Sequence, residues 1–166
     1  MEREKKHGAK EDQQSQNLRQ LVTFNLGTEE YGVDIMSVQE IIRCQAITHV
    51  PQMPGFIEGV INLRGNVIPV IDLRKRFGMT VTDQTAQTRI VVVNVGAKVI
   101  GVVVDAVSEV MRLAEEQIEP PPPVVAGIGN EYLQGVGKVQ GRLIILLNLD
   151  RILSNQEHEK LTQIRG

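Results

Sequence analysis

Three histidines, one cysteine and a scatter of serines and carboxylates are the side chains with which this sequence could do chemistry, and their spacing decides which chemistry is open to it. His7, His49 and His158 lie far apart, with none of the short separations that gather imidazoles on one metal ion. Ser37, Ser108 and Ser154 lack the glycine-flanked turn of an exposed nucleophile, and no histidine accompanies them. Cys44 stands beside Arg43, whose charge favours a thiolate, but no base is paired with it. GVGKVQG, residues 135–141, has glycines like those of a phosphate loop, yet it opens the strand-like run RLIILL rather than a helix. Asp34, Asp72, Asp105 and Asp150 fall at the ends of strand-like runs, where turn contacts explain them and a catalytic pair is the alternative. No nucleophile, base or metal set comes together, which argues against an enzyme and against a cofactor.

One charged residue stands out for its setting. In NLRGNVIPVIDL, residues 62–73, Arg64 precedes a strand-like apolar run, and GKVQGRLIILLNL, residues 137–149, repeats the pattern with Gln140 in its place. Gly65, Ile68 and Leu73 are matched by Gly141, Ile144 and Leu149, so they serve the fold. Arg64 is not matched, which makes it a candidate for contact with a partner, oriented by Glu40.

The elements that position these residues are strands. Hydrophobic residues make up 42% of the chain but aromatics only 3%, so the core is built from Val, Ile and Leu, which favours β structure. A net charge of −2 offers no footprint for a nucleic-acid backbone, and few aromatic rings are present on which bases could stack. Nucleic acid is excluded as the expected partner. A single cysteine rules out an internal disulfide and suits a reducing cytoplasm. The N-terminus has no apolar signal segment, and no window approaches the roughly 18 apolar residues of a membrane-spanning helix.

Residues 1–17 are charged and polar and read as a disordered arm. QLVTFNL, the turn GTEE and YGVDI predict a hairpin around Gly27; MSVQEIIR is open between a helical turn and a strand. Pro54 and the residues GFIEG after it suggest one helical turn. VIPVIDL reads as a strand, with Pro69 placing it at an edge or at a bulge. RKRFGMTVTDQTAQT, residues 74–88, reads as a polar connector between the halves. RIVVVNV, GAK and VIGVVVDAV predict a second hairpin, PPPPVVAG an extended exposed loop, and GRLIILLNL the last long strand. Ile152, Leu153, Leu161 and Ile164 have helical spacing, so 151–166 is read as a C-terminal helix and tail.

The chain is an internal repeat. Gly59–Leu73 aligns with Gly135–Leu149 at an offset of 76, and Leu26–Ile41 with Val95–Val110 at an offset of 69. A duplicated, turn-punctuated unit of about five short strands predicts two tandem SH3-like β-barrel lobes, about residues 18–82 and 86–150, with short helices beside them.

The strings EEYGVDIMSVQEI (29–41), FIEGVINLRGNVIPVIDLR (56–74), VVVDAVSEVMRL followed by IEPPP (102–122), and YLQGVGKVQGRLIILLNLD (132–150) resemble the signature segments of the CheW-like family of bacterial chemotaxis coupling proteins. They occur in the same order across about residues 18–154. The resemblance implies a non-catalytic adaptor of two SH3-like barrels. Its expected partners are the cytoplasmic tips of chemoreceptors and the regulatory domain of the histidine kinase CheA, at arrays on the cytoplasmic side of the membrane. A detached regulatory module of another two-component protein is the alternative; the length and polar ends favour a complete stand-alone chain.

Carried over where the motifs match, the resemblance marks Ile35, Val38, Glu40, Ile41, Arg64, Gly101, Val107 and Val110 as candidate receptor-binding residues. Competing expectations exist for most of them. Ile35, Val38, Val107 and Val110 are ordinary core types, Gly101 answers a backbone requirement, and Glu40 has a counterpart in Glu109 that suggests architecture.

Overall fold

A computed structural model of the chain describes residues 18–153 apart from 54, 56, 122, 123, 126, 127, 130 and 131. The strands of the first repeat are β1 (Leu18–Leu26), β2 (Glu29–Asp34), β3 (Val38–Arg43), β4 (Gly59–Leu63) and β5 (Asn66–Asp72), followed by the short helix α1 (Leu73–Arg76). Those of the second are β6 (Arg89–Val95), β7 (Lys98–Val104), β8 (Ala106–Ala114), β9 (Ile118–Glu119), β12 (Leu133–Val139) and β13 (Arg142–Leu147). A small hairpin, β10 (Val124–Val125) with β11 (Ile128–Gly129), follows the prolines and was not expected from the sequence. MSVQEIIR resolves into both of its options: a 3-10 turn over Ile35–Ser37 and then β3.

The two expected hairpins, β1–β2 and β6–β7, are present, but the repeats do not fold side by side. One sheet runs β8-β1-β2-β13-β12-β9 and the other β3-β6-β7-β5-β4. The expected lobes at 18–82 and 86–150 therefore need correction, since each barrel takes the leading hairpin of one repeat and the later strands of the other. The exchange is symmetrical. Replacing each strand by its counterpart in the other repeat turns β3-β6-β7-β5-β4 into β8-β1-β2-β13-β12, and the parallel pairs Gly32–Leu146 and Gly101–Val70 correspond.

A physical reason lies in the apolar runs at β5 and β13. Strands with parallel neighbours are buried on both faces and read as continuous apolar runs. Ile68 to Ile71 and Ile144 to Leu147 are all buried in that way, and β5 and β13 receive the parallel partners β7 and β2. The ends of each curled sheet are drawn together at matching places: Thr48, after β3, bridges Val60 of β4 with two N–H···O bonds of 2.9 Å, and β9, after β8, pairs with β12.

Pro69 lies within an interior strand, correcting the expected edge or bulge. Arg64 and Gly65 alone join β4 to β5, so Leu63 and Asn66 form a hydrogen-bonded pair and the pairs alternate from there. Pro69, opposite Val60, falls at a non-hydrogen-bonded position. Its missing N–H points towards β7, whose ladder begins one residue later at Val70.

Three apolar clusters follow from this arrangement. Ile61, Ile68, Val70, Ile90 and Val92 fill one barrel, and Leu21, Leu113, Ile144 and Leu146 fill the other. Between the barrels lies a larger core of 20 buried residues among those described, including Phe24, Tyr31, Val93 and Leu147. Each such side chain contributes about 1.5–3 kcal/mol by leaving water, so the shared core, more than either interior, makes the two barrels one folding unit. Ile152 and Leu153 are buried in it. The rest of the predicted C-terminal helix, the N-terminal arm, and Pro54 and Phe56 of the predicted helical turn lie outside the described residues.

Candidate functional site

Arg64 and Gly65 form the turn between β4 and β5 with φ of 54° and 87°, the backbone of a type I′ hairpin. A left-handed backbone at a residue with a side chain costs on the order of 1–2 kcal/mol. Local contacts offset it: the Gly65 N–H donates to Asn62 Oδ1 at 2.8 Å, and the turn's twist suits the strands. The Arg64 guanidinium meets Glu40 of β3 in two parallel bonds, Nη1 to Oε2 at 2.6 Å and Nη2 to Oε1 at 2.7 Å. Those bonds, ahead of desolvation, hold the Glu40 carboxyl below its ordinary range and push Arg64 up. With 71% of the Arg64 side chain exposed, solvent screens the pair. It orients the guanidinium on the surface more than it holds the fold. Beside it the hairpin exposes Val67, and a cavity of about 280 Å³ opens between Gln39, Leu63 and Val99.

The second repeat carries the same device in altered form. Gln140 and Gly141 have φ of 50° and 76°, so the turn is again type I′. Glu109, the counterpart of Glu40, still meets an arginine, but it is Arg142 at the head of β13, Nη1 to Oε1 at 3.0 Å, and Arg142 also binds Glu30 of β2. Leu143, the counterpart of Val67, is exposed too. Gln140 for Arg64 is therefore not a loss of charge. The arginine has moved two residues along, out of the strained turn.

The eight candidate residues divide. Glu40 and Arg64 are joined, and Ile41 follows Glu40 with its side chain exposed. Val110, which corresponds to Ile41, is exposed on β8 of the other barrel. Ile35, Val38 and Val107 are half-buried against the shared core, so the core expectation holds for them in large part. Gly101 is buried in β7 with ordinary backbone: a Cβ there would sit 2.8 Å from Ile90 Cγ2, closer than packed carbons approach. Its place is architectural. The space between the barrels is filled by the shared core. At the rim of that core lies a cavity of about 390 Å³, lined by Leu18, Gln20, Ile35, Met36 and Arg112.

Met36, Val67 and Leu143 are exposed apolar residues that sequence reasoning passed over. The correspondence of Val67 with Leu143 in the repeat was the signal for two of them, since matched apolar residues beside matched turns invite the question of what they face. Nothing in the sequence separates Met36 from a core methionine.

Other reactive side chains are placed quietly. Burial, then the charge of Asp72, pushes the Cys44 thiol up, which leaves it protonated and a poor nucleophile. Burial also pushes the Tyr31 hydroxyl up to about 12. Among the described residues no group of three or more His, Cys, Asp or Glu is arranged to hold a metal ion, and no helix is long and apolar enough to cross a membrane.

Two exchanged barrels, with ion pairs and single aliphatics displayed on matched hairpins, define a double-barrel interaction module of the scaffold class. Residues 20–157 match the CheW-like domain, and the chain belongs to that family, one of chemotaxis adaptors and scaffolds. It is 42% identical over 139 residues to the chemotaxis protein CheW of Klebsiella aerogenes, covering 84% of each chain. It is 37% identical over 149 residues to that of Treponema pallidum, covering 87% of this chain and 88% of the relative. Among solved structures it is similar to the scaffolding protein TtCheW from Thermoanaerobacter tengcongensis, with 42% identity, a TM-score of 0.76, and coverage of 82% and 88%.

Proposed function

We propose that this chain couples the cytoplasmic tips of chemoreceptors to the regulatory domain of the histidine kinase CheA, as a non-catalytic adaptor working in the cytoplasm. The observation that carries this reading is the pair of matched surfaces, one per barrel, each with a Glu–Arg pair beside an exposed aliphatic: Glu40, Arg64 and Val67 on one, Glu109, Arg142 and Leu143 on the other. A protein with one sticky face caps an assembly; one with two related faces extends it.

Physically, exposed Ile41 and Val110 supply apolar contact for a receptor helix, and Arg64, fixed by Glu40, sets its register. Ile35, Val38 and Val107 act from behind by shaping the strands that carry those contacts. Heterologous contacts between related double barrels close into rings when the rotation allows it, and many weak contacts then act together. The test is capture of purified kinase regulatory domain and of a receptor cytoplasmic fragment on the immobilised full chain. Retention of both supports the reading, and Arg64→Ala is expected to release the receptor fragment first. Retention of neither removes it.

A further inference from the structure

The chain crosses between the barrels twice in corresponding places: from β2 to β3 through Ile35–Ser37, and from β7 to β8 through Asp105. The two crossings are fastened differently. At the second, Asp105 accepts two bonds from Arg74 of α1, Nε to Oδ1 at 2.8 Å and Nη2 to Oδ2 at 2.5 Å, and a third from the Gly27 N–H in the β1–β2 turn at 2.7 Å. The Asp105 N–H donates to Asn25 O at 3.0 Å, and Arg74 Nη1 reaches Thr80 O at 2.7 Å. The Arg74 side chain is only 14% exposed. One charge-assisted knot therefore ties a helix, a crossing, a turn and the connector, and bonds of this bidentate kind are the strong ones.

At the first crossing the corresponding positions hold Met36 in place of Asp105 and Asp150 in place of Arg74, so the knot cannot form. The hydrogen bonds of this crossing are local: the Met36 N–H donates to Asp34 Oδ1 at 2.9 Å, and the Val38 N–H closes the 3-10 turn on Ile35 O, while Ile35 and Val38 pack against the shared core. Met36 is 83% exposed, and the cavity of about 390 Å³ lies alongside, giving the segment room to move. The large shared core keeps the barrels together in either case, so what differs is local stability at the two crossings.

We propose that the protein is built with one pinned and one unpinned crossing, and that Ile35–Ser37 is its movable part. This segment runs straight into β3, so its opening loosens the start of the strand that carries Glu40. The pinned crossing holds the opposite corner fixed meanwhile.

Amide hydrogen exchange on the full chain, read residue by residue by NMR, tests this. The Gly27 and Asp105 amides are expected to exchange more slowly than those of Met36 and Val38 by about ten-fold or more. Arg74→Met is expected to speed Gly27 and Asp105 to the rate of the first crossing while leaving Met36 and Val38 unchanged. The double substitution Met36→Asp with Asp150→Arg, which builds a second knot, is expected to slow Val38 and Gly96, the counterpart of Gly27. Equal protection of the two crossings in the unaltered protein overturns the proposal, even should Arg74→Met fail to fold. So does a knot-building variant that folds and leaves Val38 as fast as before.

Discussion

Gly101 allows a direct contest between architecture and partner contact, because the repeat supplies its own control in Gly32. Both glycines lie in the strands that make the parallel pairing, and neither has a backbone that demands glycine. They differ in space. A Cβ at Gly101 would meet Ile90 Cγ2 at 2.8 Å, and Ile90 is fully buried in a barrel interior with nowhere to turn. A Cβ at Gly32 would find its nearest neighbour, Ile144 Cγ2, at 3.2 Å, a contact that a shift of a few tenths of an ångström relieves. Overpacking of a filled core costs about 1–3 kcal/mol. At roughly 2–4 °C per kcal/mol for a domain of this size, Gly101→Ala should lower Tm by about 2–12 °C. Gly32→Ala should fall at or below the low end of that range. Calorimetric melts of the two variants beside the unaltered protein measure this. A Gly101→Ala protein that melts unchanged yet loses the receptor fragment would refute the steric reasoning and restore Gly101 to the contact surface.

Three further outcomes follow from the turns and ion pairs. Arg64→Ala should leave the melting temperature where it is, since the pair with Glu40 is screened by solvent, and should reduce receptor capture; a large thermal loss would make the pair structural. Gln140→Asn should raise Tm by a degree or two, about 0.5 kcal/mol, because asparagine tolerates the left-handed backbone of the turn better than glutamine does; no change would mean that the turn relaxes. Asp105 is held below the ordinary carboxylate range, first by its bonds from Arg74. Its contribution to stability is then fully present above the unfolded carboxylate pKa and is lost as pH falls through the lower folded value. Asp72 is shifted the opposite way by burial, so the comparison is between the unaltered protein and Asp105→Asn, both of which keep Asp72. Their denaturation free energies should differ near neutrality and converge in acid; a constant gap across pH would count against the ion pair.

Short-range order was readable from the sequence because it depends on neighbours. Gly27 between two alternating runs announced the first hairpin, and the matched glycines at 65 and 141 announced matched turns. The exchange of hairpins between the repeats was not readable in this way. A strand such as VIPVIDL declares that it is buried on both faces, but two repeats of like composition offer β5 two chemically similar partners, β2 and β7. The choice between them is made by long-range packing of the shared core, where Phe24 and Tyr31 from β1 and β2 meet valines of β6 and β7. Pro69 was misplaced for a related reason: proline at a strand position signals a missing donor, and only the register shows that this donor is one the β4 ladder does not use.

The candidate site was legible in part. Arg64 and its orientation by Glu40 followed from motif and repeat, and the structure joins them. That the second repeat retains its charge pair through Arg142 was hidden, because Glu109 and Arg142 are brought together only by the pairing of β1 with β8 and of β2 with β13. Of the apolar candidates, Val38 and Ile41 lie three apart on β3, so alternation puts them on opposite faces, as the burial along the strand does; the sequence did not say which face met the core.

The adaptor reading is tested most directly by kinase activity in a reconstituted mixture of receptor cytoplasmic fragments, CheA and increasing amounts of the full chain. Kinase output should change with the added chain only when receptor is present, and all three proteins should sediment together. Kinase output indifferent to the chain, with receptor and kinase sedimenting as they do without it, would contradict the account.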